Sequence, residues 1–147
     1  MKIIIGSDHG GFELKEIIRE YILKKGIEVQ DVGVFSADSV DYPDYAKKVG
    51  DEVKAGQGNL GILICGTGIG MSIAANKIKG IRCALCNDVY TAKMARGHND
   101  ANVLAIGGRV VGKGVALMII DTFLNSNFEG GRHNTRISKI RDMEEME

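Results

Sequence analysis

An α/β fold built on a parallel sheet of five strands is what this sequence predicts, and three observations predict it. Short apolar runs alternate with helical periodicities along the whole chain, in the order βαβαβαβαβα, which requires a parallel sheet with right-handed crossovers. The central run Leu60–Cys65 is apolar without alternation, the pattern of a strand covered on both faces. Glycine occurs 20 times against a single proline. The glycines follow the apolar runs, where backbone turns sharply or comes close to a ligand.

The elements follow in order. Lys2–Ile5 is a compact strand ending at Gly6. Leu14, Ile17, Ile18, Tyr21 and Ile22 recur at helical spacing, and Gly26 is placed to stop that helix. Ile27–Val34 alternates in part and predicts a second strand. Tyr42–Ala55 reads as a helix with Pro43 in its first turn, followed by Gly56 and Gly58. After the central strand, Gly70–Ile78 is helical, Arg82–Cys86 a short strand and Val89–Arg96 a helix. Val103–Ile106 is the last strand, with a helix over roughly Gly112–Leu124 behind it. Ligands bind such sheets beyond the carboxyl ends of the strands. That rule selects Ser7–Gly11, Cys65–Gly70, Asn87–Asp88 and Gly107–Arg109.

Composition narrows the function. The 147 residues suit one domain, 1–147, with a single core. Lys plus Arg and Asp plus Glu are equal at 19 each, so no overall field draws nucleic acid or an acidic membrane. No apolar run approaches the roughly 20 residues that span a bilayer. The N-terminus enters a strand at once and carries no small-residue cleavage site, so no signal peptide is expected. Three cysteines, an odd number, fit a reducing compartment, and a cytoplasmic location is expected. Residues 128–147 differ from the rest: FEGGRHNTRISKIR is basic and the end is acidic. Arg132 and Arg136 would share a helix face, and this arm, with little core of its own, is expected to pack on a partner subunit.

Gly66, Gly68 and Gly70 expose backbone N–H groups just before a helix, a nest for a phosphate or a transient oxyanion. Asp88 stands where a dinucleotide's ribose would be held, but the spacing is GxGxG with Met71 in place of a third glycine. Two readings of Cys65 are open on position alone. It is a small buried hydrophobe of the strand, or a thiolate at the mouth of a positively polarised loop, able to act as nucleophile or general base. Cys83 and Cys86 form a CxxC inside a strand, point to opposite faces and suit core packing rather than metal ligation. His9, His98 and His133 lie in polar segments near strand ends or arginine, suggesting acid–base work beside an anion. Their spacing gives little support to a metal. Arg109, Arg132 and Arg136 are candidates for bidentate phosphate contacts.

Five long motifs carry a resemblance that covers essentially the whole chain. They are GSDHGGFELK (6–15), DYPDYA (41–46), ICGTGIGMSIAANK (64–77), RGHNDANVLAIGGRVVG (96–112) and EGGRHNTRI (129–137). In these the chain resembles the ribose-5-phosphate isomerase B family, which includes galactose- and allose-6-phosphate isomerases. The resemblance implies a Rossmann-like three-layer sandwich with a parallel five-stranded sheet and a C-terminal helical arm. It implies a homodimer with active sites shared between subunits, with pairing of dimers into tetramers as the alternative, and neither cofactor nor metal.

The implied reaction interconverts ribose 5-phosphate and ribulose 5-phosphate through a cis-enediolate, in the non-oxidative pentose phosphate pathway. By position, Cys65 is the base, His98 opens the sugar ring with Asp8 assisting, and Thr67 meets the O1/O2 end. The backbone of Gly66, Gly68, Ile69, Gly70, Met71 and Ser72 would stabilise the enediolate. His9, Arg132 and Arg136 would hold the phosphate with Arg109 assisting, and Tyr42 and Asn99 would line the sugar. One branch of the family places a glutamate base where this chain has Met71; with Cys65 present, the chain falls in the cysteine-dependent branch. Two alternatives stand beside this reading. One is isomerisation of a six-carbon sugar phosphate or a free rare aldose. The other is a non-catalytic nucleotide-binding module using Gly66–Gly70 and Asp88.

Overall fold

The structure, a computed structural model, describes residues 1–146. The strands are β1 (Lys2–Ser7), β2 (Glu28–Asp31), β3 (Leu60–Cys65), β4 (Cys83–Leu85) and β5 (Val103–Gly107). They form one parallel sheet in the order β2-β1-β3-β5-β4. The helices are α1 (Phe12–Lys24), α2 (Tyr42–Ala55), α3 (Ile69–Ala75), α4 (Val89–Gly97), α5 (Lys113–Asn125) and α6 (Arg132–Glu145).

Two apolar clusters cover the two faces of the sheet, which makes the three layers. Ile3, Ile5, Ile62, Ile64, Leu104 and Ile106 pack against α1, α4 and α5. Ile4, Leu63, Cys65, Val103 and Ala105 pack against α2 and α3. This explains why β1 and β3 are apolar without alternation: both faces are dry. Each fully buried isoleucine contributes about 1.5–3 kcal/mol, so the strand ends that carry the site are anchored in a rigid platform.

Three local features differ from expectation. The second strand ends at Asp31 rather than Val34, because Gly33 takes φ +100 and bends the chain, although Val32 and Val34 still donate to Ile5 and Ser7. α3 stops at Ala75 rather than Ile78. The next residue, Asn76, turns its carboxamide onto the edge strand, donating to the Cys83 carbonyl at 2.9 Å and accepting from its amide at 2.8 Å. Residues His9–Gly11 form a 3-10 turn capped by Asp8, whose carboxylate accepts from the Gly11 amide at 3.1 Å. The C-terminal arm is helical, as expected, and makes contacts within its own chain: the Gly80 amide donates to Glu144 at 3.0 Å.

Candidate active site

At the carboxyl edge of the sheet, Cys65 is the last residue of β3 and 5% exposed. Gly68 takes φ +80, a left-handed conformation costly for any other residue, and so returns its amide to the Cys65 sulfur at 3.1 Å. The Ile69 amide donates to the Thr67 hydroxyl at 3.2 Å, which leaves that exposed hydroxyl fixed at the rim. Gly70 and Met71, in the first turn of α3, have amides without an intrahelical acceptor. The Met71 side chain is fully buried in the core, so only its backbone faces the turn. Ser72 is half-buried with its hydroxyl toward Cys83, and Ile69 is exposed.

Neighbouring strands bring the other candidates. The Asp8 amide donates to the Ile64 carbonyl at 3.2 Å, which sets Asp8 and the His9 turn beside the end of β3. His9 accepts at Nδ1 from the Val40 amide at 3.2 Å, so its neutral ring carries hydrogen on Nε2 as a free donor. Because β5 lies next to β3, Arg109 reaches the same place: its amide donates to the Gly66 carbonyl at 2.9 Å and its exposed guanidinium lies over Gly66. The Tyr42 ring packs on Gly70. Asp88, the residue a nucleotide would need, is engaged as the cap of α4, accepting from the Thr91 amide at 2.7 Å.

The remaining candidates lie at the opposite edge. His98 caps the C-terminus of α4, and Asn99 follows it into the turn before β5. Cys65 is level with Gly107, whereas His98 precedes Val103, so at least about 13 Å of strand separates them within one chain. The His98 ring stacks on His133 with centroids 4.2 Å apart and planes at 16°. Arg132 and Arg136 are exposed on the same α6 that supplies His133. Desolvation, with His98 and Arg132 adding to it, holds His133 below the usual imidazole range. Asp100, at φ +46, is gripped by Arg82 and Arg96, each 3.2 Å from its carboxylate, and this shapes the turn that presents His98 and Asn99.

His98, Glu129 and His133 bring ligand atoms within 4.8 Å of one another, a grouping that sequence spacing did not reveal. Parallel stacked imidazoles direct their lone pairs side by side, however, and the geometry is poor for one ion. Connectivity held a signal for the split site: His98 lies between a helix and a strand, and in a parallel sheet such turns fall at the amino edge. The pairing of Lys15 with Asp31 gave no signal, since a lysine on an amphipathic helix reads as exposed.

Cys83 packs with the α2/α3 cluster and Cys86 with the α1/α4/α5 cluster, so the CxxC thiols face opposite ways. Burial pushes Cys83 up to about 12 and raises Cys86 as well. Both stay protonated at pH 8 and are poor nucleophiles. Iodoacetamide at pH 8 should therefore give a single adduct, at Cys65, with loss of activity in step. Peptide mass spectrometry checks this, and an adduct on Cys83 or Cys86 ahead of Cys65 would contradict it.

Residues 3–140 match the sequence profile of the family described as Ribose/Galactose Isomerase. The chain is 49% identical over 144 residues to ribose-5-phosphate isomerase B of Escherichia coli (strain K12), covering 98% of this chain and 97% of the relative. It is similar to the structure of Clostridium thermocellum ribose-5-phosphate isomerase B, with TM-score 0.98, 55% identity and 99% of each chain covered. It is also similar to the Mycoplasma genitalium ribose-5-phosphate isomerase B, solved with bound ribulose 5-phosphate, at TM-score 0.95 and 47% identity over 98% of this chain and 96% of that one. With the fold, the motifs and these likenesses in agreement, the chain belongs to the Ribose/Galactose Isomerase family.

Proposed function

We propose that this protein is an aldose–ketose isomerase interconverting D-ribose 5-phosphate and D-ribulose 5-phosphate, in the non-oxidative pentose phosphate pathway of the cytoplasm. The observation that carries the proposal is the Cys65 sulfur, seated against the Gly68 amide in the turn beside Asp8 and His9. A homodimer is part of the reading. Cys65 and His98 cannot meet within one chain, and a second copy that turns its amino edge toward this carboxyl edge completes the site. The exposed face of α6, with Arg132 and Arg136, then serves the neighbour's site.

The steps follow from the groups at each position. His98 of the partner subunit moves the proton that opens the furanose ring, with Asp8 oriented toward the ring oxygens. The Cys65 thiolate takes the proton from C2 of the aldose, and the electron pair moves through C1–C2 onto O1. The enediolate oxygens are met by the free amides of the Gly66–Ser72 turn, where one such donor is worth about 3 kcal/mol in other enzymes. Cys65 returns its proton to C1, Thr67 assists the transfer between O2 and O1, and the ketose forms with atoms and charge balanced. His9 Nε2–H and Arg109, with Arg132 and Arg136 of the second copy, hold the phosphate. That remote binding energy positions the reacting carbons. Tyr42, with Asn99 of the partner subunit, lines the sugar.

The test is a panel of aldose phosphates assayed with the purified protein, with and without chelator. Ribose 5-phosphate should be the best substrate by at least about tenfold, with turnover indifferent to the chelator. Preference for allose 6-phosphate or galactose 6-phosphate would move the substrate to six carbons. Tight calorimetric binding of AMP or NAD with no turnover would overturn the enzyme reading.

A further inference from the structure

Lys15 is fully buried, and no step of the isomerisation uses it. Its ammonium pairs with Asp31 and with Glu16, the latter at 2.9 Å. It also lies over two aromatic rings, 5.5 Å from the centroid of Phe12 and 5.3 Å from that of Phe35. A buried ammonium persists only when such partners replace its water, and an apolar residue would fill the same space without them. The partners are informative because two of them open the segment 31–41 that joins β2 to α2. Asp31 spends its second oxygen on the Gly33 amide at 2.9 Å, at the bend where the strand ends. Phe35, 71% exposed as a residue, has its ring turned toward the ammonium.

The far end of that segment reaches the site. Val40 donates its amide to His9 Nδ1 at 3.2 Å, and Tyr42, the first residue of α2, lies on Gly70. Between these ends, the Ser36 hydroxyl and Asp38 bond to each other, at 3.2 Å, inside the segment. The segment is thus gripped by Lys15 at one end and delivers the partner of His9 at the other.

We propose that Lys15 is a positioning residue: through Asp31 and Phe35 it sets the course of residues 31–41, whose Val40 amide holds His9 with Nε2–H presented to the substrate's phosphate. The phosphate role rests on the function proposed above; the effect on His9 itself does not. In Lys15→Met, a side chain of similar reach without charge, KM for ribose 5-phosphate should rise about tenfold while kcat stays within about threefold. Inhibition by inorganic phosphate should weaken in parallel. The nitrogen-15 spectrum of the His9 imidazole should change from the Nε2–H tautomer to an averaged signal, a change that simple loss of stability would not produce in a folded variant.

Two further variants keep the test decisive if Lys15→Met does not fold. Lys15→Met/Asp31→Asn removes both charges together, and Phe35→Ala alters an exposed ring; each should move the His9 spectrum and the phosphate inhibition in the same direction. A folded variant with a native His9 spectrum, or one that loses kcat at unchanged KM, overturns the proposal. A changed His9 spectrum in a protein that turns over no sugar phosphate would instead support the positioning role and reject the isomerase reading.

Discussion

Cys65→Ala is expected to lose about 10²–10⁴-fold in isomerisation while ribose 5-phosphate still binds, because a positioned general base contributes that much to a proton transfer. The carbon acid is weak until charge can settle on the enediolate oxygens, so the amides of the Gly66–Ser72 turn cannot act alone. They stabilise a charge that only the base can create. The variant should therefore retain native KM within a few-fold and lose kcat, the signature of an interaction made in the transition state. Exchange of the C1 and C2 hydrogens with deuterated solvent, followed by NMR, measures the step directly. The sulfur is nearly buried, and its removal should cost about 1 kcal/mol of stability, too little to unfold the chain at room temperature. Full activity in Cys65→Ala would take the thiol out of the mechanism and leave it as core packing.

A mixture of two inactive proteins should regain activity. His98→Asn removes the proposed ring opener, and Cys65→Ala removes the base, so each homodimer is expected to be nearly dead on cyclic ribose 5-phosphate. In a mixed dimer, however, one site takes Cys65 from the first chain and His98 from the second, and both are intact there. Its twin site lacks both. Random exchange of equal amounts makes half the dimers mixed, each with one working site, so about a quarter of native activity should return. Dissociating and reassociating the two variants together, then assaying, checks this. No recovery after proven subunit exchange would place both residues in one chain's site, against the separation of at least about 13 Å along the sheet. His98→Asn alone should also lose far less on an open-chain substrate than on the closed ring.

The element order and most boundaries were legible in the sequence because they depend on neighbours a few residues apart. Tyr42–Ala55 and Leu60–Cys65 were read to the residue. Misplaced ends had long-range causes. The Asn76 carboxamide prefers the edge of β4, and the bend at Gly33 follows the hydrogen bonds that Ser7 makes. The Gly66–Gly70 turn and Cys65 were visible as a unit, since they are contiguous. Asp88 misled for the converse reason: the spacing that suggests a ribose contact is equally that of a helix cap.

By itself the sequence determined that this is an α/β chain with a thiol at the mouth of a glycine turn, and its motifs point to one family. Those properties are written in local periodicity and contiguous residues. Only the tertiary structure decided which groups share a site. It inserted β5 between β3 and β4 and so set Arg109 over Gly66. It put His98, Arg132 and Arg136 at the edge away from Cys65, and it buried Lys15 beneath the segment that holds His9. Strand order and the burial of a charge depend on contacts between residues far apart in the chain, and no local pattern carries that information.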